Sequence, residues 1–256
     1  MRAIPTQMGA DVKRVMLTVA YDGTNYHGWQ LQPNAVTIET VLNDALRTLL
    51  KEEISGIGAS RTDTGVHSLG SIAVFDTEAR MPVERMPYAI NQWLPEDIRI
   101  QCAKEVAPDF HPRRCDSRKT YEYRILNREF PLPTERLYAY FTYVPLDVSL
   151  MRQAAGFLVG RHDFKSFCSA DSSAETTVRT IYDLRIEQQG DLIVIRITGD
   201  GFLYNMVRII AGTLMEVGKG RRRPEEMEDI LDSLDRTKAG PTAPACGLTL
   251  VKYEFL

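Results

Sequence analysis

Apolar and polar positions alternate with period two over "RVMLTVAY", and the run stops at the turn signal Asp22-Gly23, which predicts a strand leading into a loop. The period then changes. In "TIETVLNDALRTLL" the apolar residues Ile38, Val41, Leu42, Ala45, Leu46 and Leu49 recur at helical spacing, so an amphipathic helix is expected, with Thr37 as its N-cap. A short extended piece runs to a turn at Asp63. A strand "SIAVFDT", a helix beginning near "PVERMPYAIN" and a strand "DIRIQCAKEV" follow.

The remainder of the chain has the same character. "KTYEYRILN" and "LYAYFTYV" read as strands, and "DVSLMRQAAGFLVG" as a helix ending at a glycine, with "RHDFKSF" as the loop beyond it. "TVRTIYDLRIEQQ" and "DLIVIRITG" flank Gly190-Asp191, a composition suited to a two-residue hairpin. "FLYNMVRIIAGTLMEVG" predicts a helix with an apolar face of Phe202, Met206, Ile209, Ile210, Leu214 and Val217. Pro224, with Glu225 and Glu226 behind it, opens a short helix to about Leu234, and "LTLVKYEF" is the closing strand.

Strands and helices mix throughout and no Gly/Ser-rich linker divides them, which indicates the α+β class. Two similar mixed α/β halves are expected, 13–107 and 108–256, divided near Pro108. Their sheets, largely antiparallel, either abut or merge, with helices packed on the outer faces. A leader, 1–12, is expected to be flexible. The similar element order of the halves is consistent with an ancient duplication.

Composition narrows the class. A chain of 256 residues, 44% hydrophobic and 25% charged, can bury a sizeable core as one large domain or two small ones. No apolar run approaches the roughly 20 residues that span a bilayer, and the leader lacks the apolar segment of a signal peptide, so a cytoplasmic location and no membrane partner are expected. Cys102, Cys115, Cys168 and Cys246 are scattered, and His27, His67, His111 and His162 add no ligand spacing; neither a disulfide framework nor a metal site is predicted. The net charge of -3 argues against indiscriminate coating of nucleic acid, yet basic residues cluster locally. "HPRRCDSRKTYEYR" and "VGKGRRR" are the densest runs.

Asp63 carries the candidate chemistry. Its triplet Asp-Thr-Gly suggests an aspartic protease, but that enzyme needs two carboxylates sharing a proton, and no second Asp-Thr-Gly or Asp-Ser-Gly exists in the chain. Arg61, two residues earlier, is placed to pair with the carboxylate instead of leaving it protonated. A plain polar turn, with Asp63 accepting backbone N–H groups, is the simplest alternative.

What surrounds the turn changes the balance. Ser60-Arg61-Thr62-Asp63-Thr64-Gly65-Val66-His67-Ser68, together with "YDGTNYHGWQLQ", "DFHPRRCDSRKTYEYRI", "HDFKSF", "GDGFLYNMVRIIAGTLMEVGKG" and "APACGLTLVKYEF", resembles the tRNA pseudouridine synthase A family, block by block and in family order from about Val15 to the C-terminus. Ser60, Thr64 and Ser68 stand where the family usually has Gly, Ala and Ala, small-for-small changes around the turn.

The resemblance implies a pseudouridine synthase fold and a cofactor-free, metal-free isomerisation of uridine to pseudouridine at positions 38, 39 and 40 of the tRNA anticodon arm, by a homodimer. It implies Asp63 as the catalytic carboxylate, a nucleophile or a stabiliser of the sugar cation, with Arg208 as its ion-pair partner. Tyr121 and Leu248 would line the uracil pocket, and Arg61 would occupy the space of the flipped base. Such a reaction needs an ionised carboxylate in a site that has drawn the base from its stack. Phosphate tracks are expected at His111, Arg113, Arg114, Arg118 and Lys119, and at Lys219 with Arg221, Arg222 and Arg223. Tyr121 and Tyr123 share a strand face, and the cations beside them argue against burial of that whole face. A pseudouridine synthase with a different RNA target, and a non-catalytic RNA-binding relative, are the alternatives.

Overall fold

The computed structural model describes residues 12–170 and 174–256; the leader falls outside them except for Val12. Among the described residues ten strands form in chain order: β1 (Lys13–Tyr21), β2 (Ile57–Gly58), β3 (His67–Thr77), β4 (Ile98–Val106), β5 (Ser117–Asn127), β6 (Tyr140–Thr142), β7 (Gly160–Asp163), β8 (Val178–Gln189), β9 (Leu192–Gly199) and β10 (Leu248–Phe255). Five helices accompany them: α1 (Ile38–Leu50), α2 (Met86–Ile90), α3 (Val148–Gly156), α4 (Met206–Gly218) and α5 (Glu226–Ser233).

The strands merge into one sheet ordered β4-β1-β3-β10-β5-β9-β8-β7, with β2 added to β3 and β6 to β5. The join is at its centre. The last strand, β10, inserts between the two halves, antiparallel to β5 over a long register but parallel to β3 only at Thr249 against His67 and Leu250 against Ser68. This short parallel contact brings the start of β3, just after Asp63, beside the start of β10, just after Gly247.

One core lies between α1, α2 and the strands β1, β3 and β4, where Leu17, Leu42, Leu46, Phe75, Met86 and Ile98 are buried. Thr37 caps α1 by accepting a hydrogen bond from Thr40 N, as its sequence position predicts. The other core packs α3, α4 and α5 on β5, β8, β9 and β10, through residues such as Met151, Ile195, Ile197, Ile210 and Leu250. Asp147 caps α3 through the amides of Ser149 and Leu150.

Several expectations need correction. Strand "LYAYFTYV" shrinks to Tyr140–Thr142, because Pro133–Glu135 forms a 3₁₀ turn and Tyr138 and Ala139 fold back on Glu135. Helix α3 stops at Gly156, four residues before the glycine assigned to its end, and Gly160 instead opens β7 with φ +117°. The segment "RHDFKSF" is therefore an edge strand paired with β8 and then a 3₁₀ turn. Helix α4 is buried on nearly all sides, so that only Arg208 and Glu216 keep appreciable exposure; a single apolar face understates it. The shared face of Tyr121 and Tyr123 is also buried, at 6% and 0% exposure, despite the flanking cations: Arg118 and Arg124 alternate to the opposite face, and Lys119, on the same face, lies near the start of β5.

Candidate active site

The Asp63 turn is tight for a local reason. Val66 N donates to Asp63 O at 3.1 Å, closing a four-residue turn, and Gly65 holds the third position at φ +78°, a conformation that side chains disfavour. The turn is tied down from three sides. Thr62 Oγ1 meets Tyr21 Oη at 2.8 Å, Trp29 N donates to Thr62 O at 3.2 Å, and Gly65 N donates to Tyr26 O at 3.2 Å. Gly28 at φ +81° lets its loop approach so closely that a Cβ there would fall 2.4 Å from Thr62 O.

The carboxylate itself points into a cleft of about 630 Å³. Arg208 Nη1 lies 3.4 Å from Asp63 Oδ2, with the two side chains 17% and 23% exposed, and among the described residues this is the side chain's one hydrogen bond. Asp63 thus makes no Asx-turn. Nor does Arg61 pair with it: Arg61 is exposed on the lip of the cleft, and the cation expected next to the carboxylate arrives from α4 instead. Burial raises the pKa of Asp63 above the ordinary aspartate value, and the charge and hydrogen bond of Arg208 oppose that rise.

Arg208 is held as firmly as the turn. Its Nε donates to Ala243 O at 2.7 Å and its Nη1 to Asn205 Oδ1 at 2.8 Å. Asn205 sits at the left-handed start of α4, φ 61°, and its amide donates to Ser169 Oγ at 3.0 Å. Ala243 is fixed because the segment from Gly240 to Ala243 crosses α4 at Gly212, where a Cβ would lie 1.8 Å from Pro241 O. Gly212→Ala is therefore expected to destabilise the fold by about 1 to 3 kcal/mol and to lower activity by tilting Arg208. Urea denaturation and a rate measurement on the same variant check both effects.

Tyr121 and Leu248 stand on neighbouring strands and line the cleft with Asp63. Leu248 is 5% exposed, so it serves core and cleft wall together. Burial, chiefly, pushes the Tyr121 phenol above its ordinary pKa, so it stays neutral. Its ring meets Phe202 edge-on at 5.2 Å. Tyr123, on the same face, is buried behind the cleft and does not line it; its hydroxyl donates to Pro244 O at 2.9 Å. Among the described residues that line the cleft, Asp63 is the sole carboxylate, which removes the shared-proton pair an aspartic protease requires. Among the described residues, no group of three or more His, Cys, Asp or Glu is placed to hold a metal ion, and no helix is long and apolar enough to cross a membrane.

A family model described as "tRNA pseudouridine synthase" matches residues 17–113 and 154–255. The chain belongs to that family of isomerases. Relatives agree over nearly full length. A protein named tRNA pseudouridine synthase A from Thermoanaerobacter sp. (strain X514) is 52% identical over 244 residues, 95% of this chain and all of that one. The protein of that name from Acetivibrio thermocellus is 48% identical with the same coverage, and tRNA pseudouridine synthase A 2 from Clostridium perfringens is 46% identical. The α+β sheet with its helices fits membership of this synthase family.

Of the residues singled out in the sequence, Asp63, Arg61, Tyr121, Leu248, Arg113 and Lys119 line one cleft, and Arg208 reaches it through Asp63. Arg114 and Arg118 are exposed outside it, Arg118 lying over the Tyr182 ring at 4.8 Å. The second basic run is not at the cleft. It begins at the far end of α4, about 16 Å along the helix from Arg208, where Lys219 and Arg221 both pair with Glu216 and Arg223 with Glu226. Arg222 lies within the same run, half-buried. Asn205, Phe202 and Tyr204, all within "FLYNMVR", also line the cleft, which the sequence reading does not assign to them. Their signal was the break between strand period and helix period at that point.

Proposed function

We propose that this synthase converts uridine to pseudouridine in the anticodon stem and loop of tRNA, at positions 38, 39 and 40, with Asp63 as the nucleophile. The N1–C1′ glycosidic bond breaks, the detached uracil turns over, and C1′ joins C5; the C5 proton leaves and N1 gains a proton. Neither redox change nor energy input is involved. The observation that carries this reading is the solitary Asp63 carboxylate, held at 3.4 Å from the Arg208 guanidinium and facing a cleft lined by Tyr121 and Leu248.

Each group has a task in that scheme. Arg208 keeps Asp63 ionised in a partly dry site and aims it. Tyr121 and Leu248 give the flipped uracil a flat, apolar surround, and Arg61 on the lip takes the place the base vacates in the stem. The enzyme acts in the cytoplasm as a homodimer with one tRNA held across both subunits, without cofactor or metal.

Incubation with unmodified tRNA transcripts, followed by chemical mapping of pseudouridine, tests reaction and site together. Pseudouridine at positions 38 to 40 is expected; pseudouridine confined to another region would reject the proposed target, and its absence would reject the activity.

Phosphate contacts hold the tRNA away from the reacting base. Arg113 reaches from the cleft wall, with its Nε anchored on Gly58 O at 2.7 Å, and Arg114 is exposed beside it. Arg113→Ala with Arg114→Ala is expected to weaken tRNA binding and reduce the slope of log K against log salt by about 0.7 to 0.9 per lost contact. Affinities measured across a salt series check it. An unchanged slope removes both residues from the track.

A further inference from the structure

Two cations at or near the cleft, Lys119 and Arg179, keep N–H donors that no acceptor takes up among the described residues. Lys119 lies two residues before Tyr121 on β5, so both side chains leave the same face of the sheet about 7 Å apart, and both line the cleft. Among the described residues no acceptor takes a hydrogen bond from its Nζ; the nearest recorded partner is the Tyr253 ring, 5.3 Å away. Arg179, on β8, lies against the turn after Gly199, the residue that Lys119 pairs with across the sheet. Its Nη1 donates to the carbonyls of Thr176 and Val178 at 2.8 and 2.6 Å, which fixes the guanidinium, while Nε and Nη2 meet no acceptor among the described residues.

The turn between them is bare. Lys119 is in register with Gly199, and a Cβ at Gly201 would lie 3.3 Å from Arg179 Nε. A Cβ at Gly199 would fall 2.9 Å from Thr180 O and 3.2 Å from Phe202, the ring that packs against Tyr121. Glycine at both places lets the turn pack closer to Thr180, Phe202 and Arg179 than a side chain would allow, which holds Arg179 against the turn next to the base-binding wall. Lys119 also pays electrostatically for its position: its pKa is pushed down to about 8, by burial first and by the Arg179 charge second, with Asp200 opposing. Two like charges, one largely desolvated and both with spare donors, are relieved by a bound anion.

We propose that Lys119 and Arg179 form an anion subsite that takes one backbone phosphate flanking the target uridine. It rests on the reading that a uridine of RNA enters the cleft against Tyr121. The occupant is a phosphodiester, which the guanidinium meets with its paired N–H groups and the ammonium as a point charge.

The test uses the full chain carrying Asp63→Asn, to block turnover, and a stem-loop RNA containing the target uridine. Affinity is measured for the native RNA and for copies in which one uncharged methylphosphonate replaces the linkage 5′ or 3′ of that uridine. One of the two replacements is expected to weaken binding about 10-fold. With Lys119→Gln and Arg179→Gln added, the native RNA should bind about 10-fold more weakly and that methylphosphonate should cost nothing further. The subsite is rejected if the double variant stays as sensitive to both replacements as its parent, or if the parent responds to neither. Asp200→Asn removes the opposing negative charge and is expected to tighten binding a few-fold, a gain that misfolding cannot produce; unchanged or weaker binding contradicts the subsite. Failure of the underlying reading shows separately, as failure of the unsubstituted enzyme to convert the uridine in the same RNA.

Discussion

Asp63→Ala is expected to abolish pseudouridine formation, by at least about 10⁴-fold, the scale on which deletion of one member of a catalytic unit acts, while tRNA affinity stays nearly unchanged. No other carboxylate among the described residues lining the cleft can take over, so little residual chemistry should survive. Affinity stays because the cations proposed to meet phosphate, Arg113 and Lys119 among them, lie elsewhere on the cleft wall. The turn also survives: its backbone closure, Gly65, and the Thr62 to Tyr21 bond do not involve the carboxylate. Single-turnover conversion and filter-binding measurements on one preparation separate the two quantities. Retention of substantial activity would remove Asp63 from the mechanism.

Arg208→Ala should lower kcat by about 10²- to 10³-fold, the range for losing one preorganised charge-stabilising donor, and should shift the acid side of the pH profile. The direction follows from the causes of the Asp63 shift. Burial raises the pKa and Arg208 lowers it, so the wild-type carboxyl already ionises above the ordinary aspartate value, and activity is lost as pH falls through that raised value. Removing the guanidinium leaves burial unopposed, and the acid limb moves to higher pH. Arg208→Lys should restore only part of the rate. A lysine has one nitrogen to serve Ala243 O, Asn205 Oδ1 and Asp63, whereas the guanidinium reaches Ala243 O with Nε and the others with Nη1. A pH profile of Arg208→Ala that coincides with that of the wild type would contradict this role.

Much of the fold is legible in the sequence because period-two and period-3.6 patterns are strong over β1, α1, β8 and β9, and Gly190 at φ 59° occupies the hairpin position that its composition indicates. The errors fall where tertiary context decides. Gly160 resembles a helix terminator but serves an edge strand, since the partner β8 is supplied from residues far along the chain. Tyr121 and Tyr123 are flanked by Arg118, Lys119 and Arg124, yet the alternation of the strand sends the tyrosines inward whatever the neighbours carry.

The site was legible in a similar, partial way. Asp63 stands out by its turn and by the lack of a second copy, and the block match points to Arg208. Periodicity cannot reveal that Arg208 is aimed by Ala243 O and Asn205, because those contacts depend on a segment crossing α4 over the bare face of Gly212. The cluster from Lys219 to Arg223 looks free in the sequence; in the fold, Lys219 and Arg221 share Glu216 and Arg223 pairs with Glu226.

The central claim is that the Asp63 carboxylate drives exchange of the glycosidic bond from N1 to C5. Because C5 gives up its hydrogen in that exchange, tRNA transcribed with [5-³H]uridine reports it directly. The wild-type chain should release tritium in step with the pseudouridine formed, and Asp63→Ala should release none while still holding the RNA. Tritium release by Asp63→Ala at a rate near that of the wild type would contradict the account.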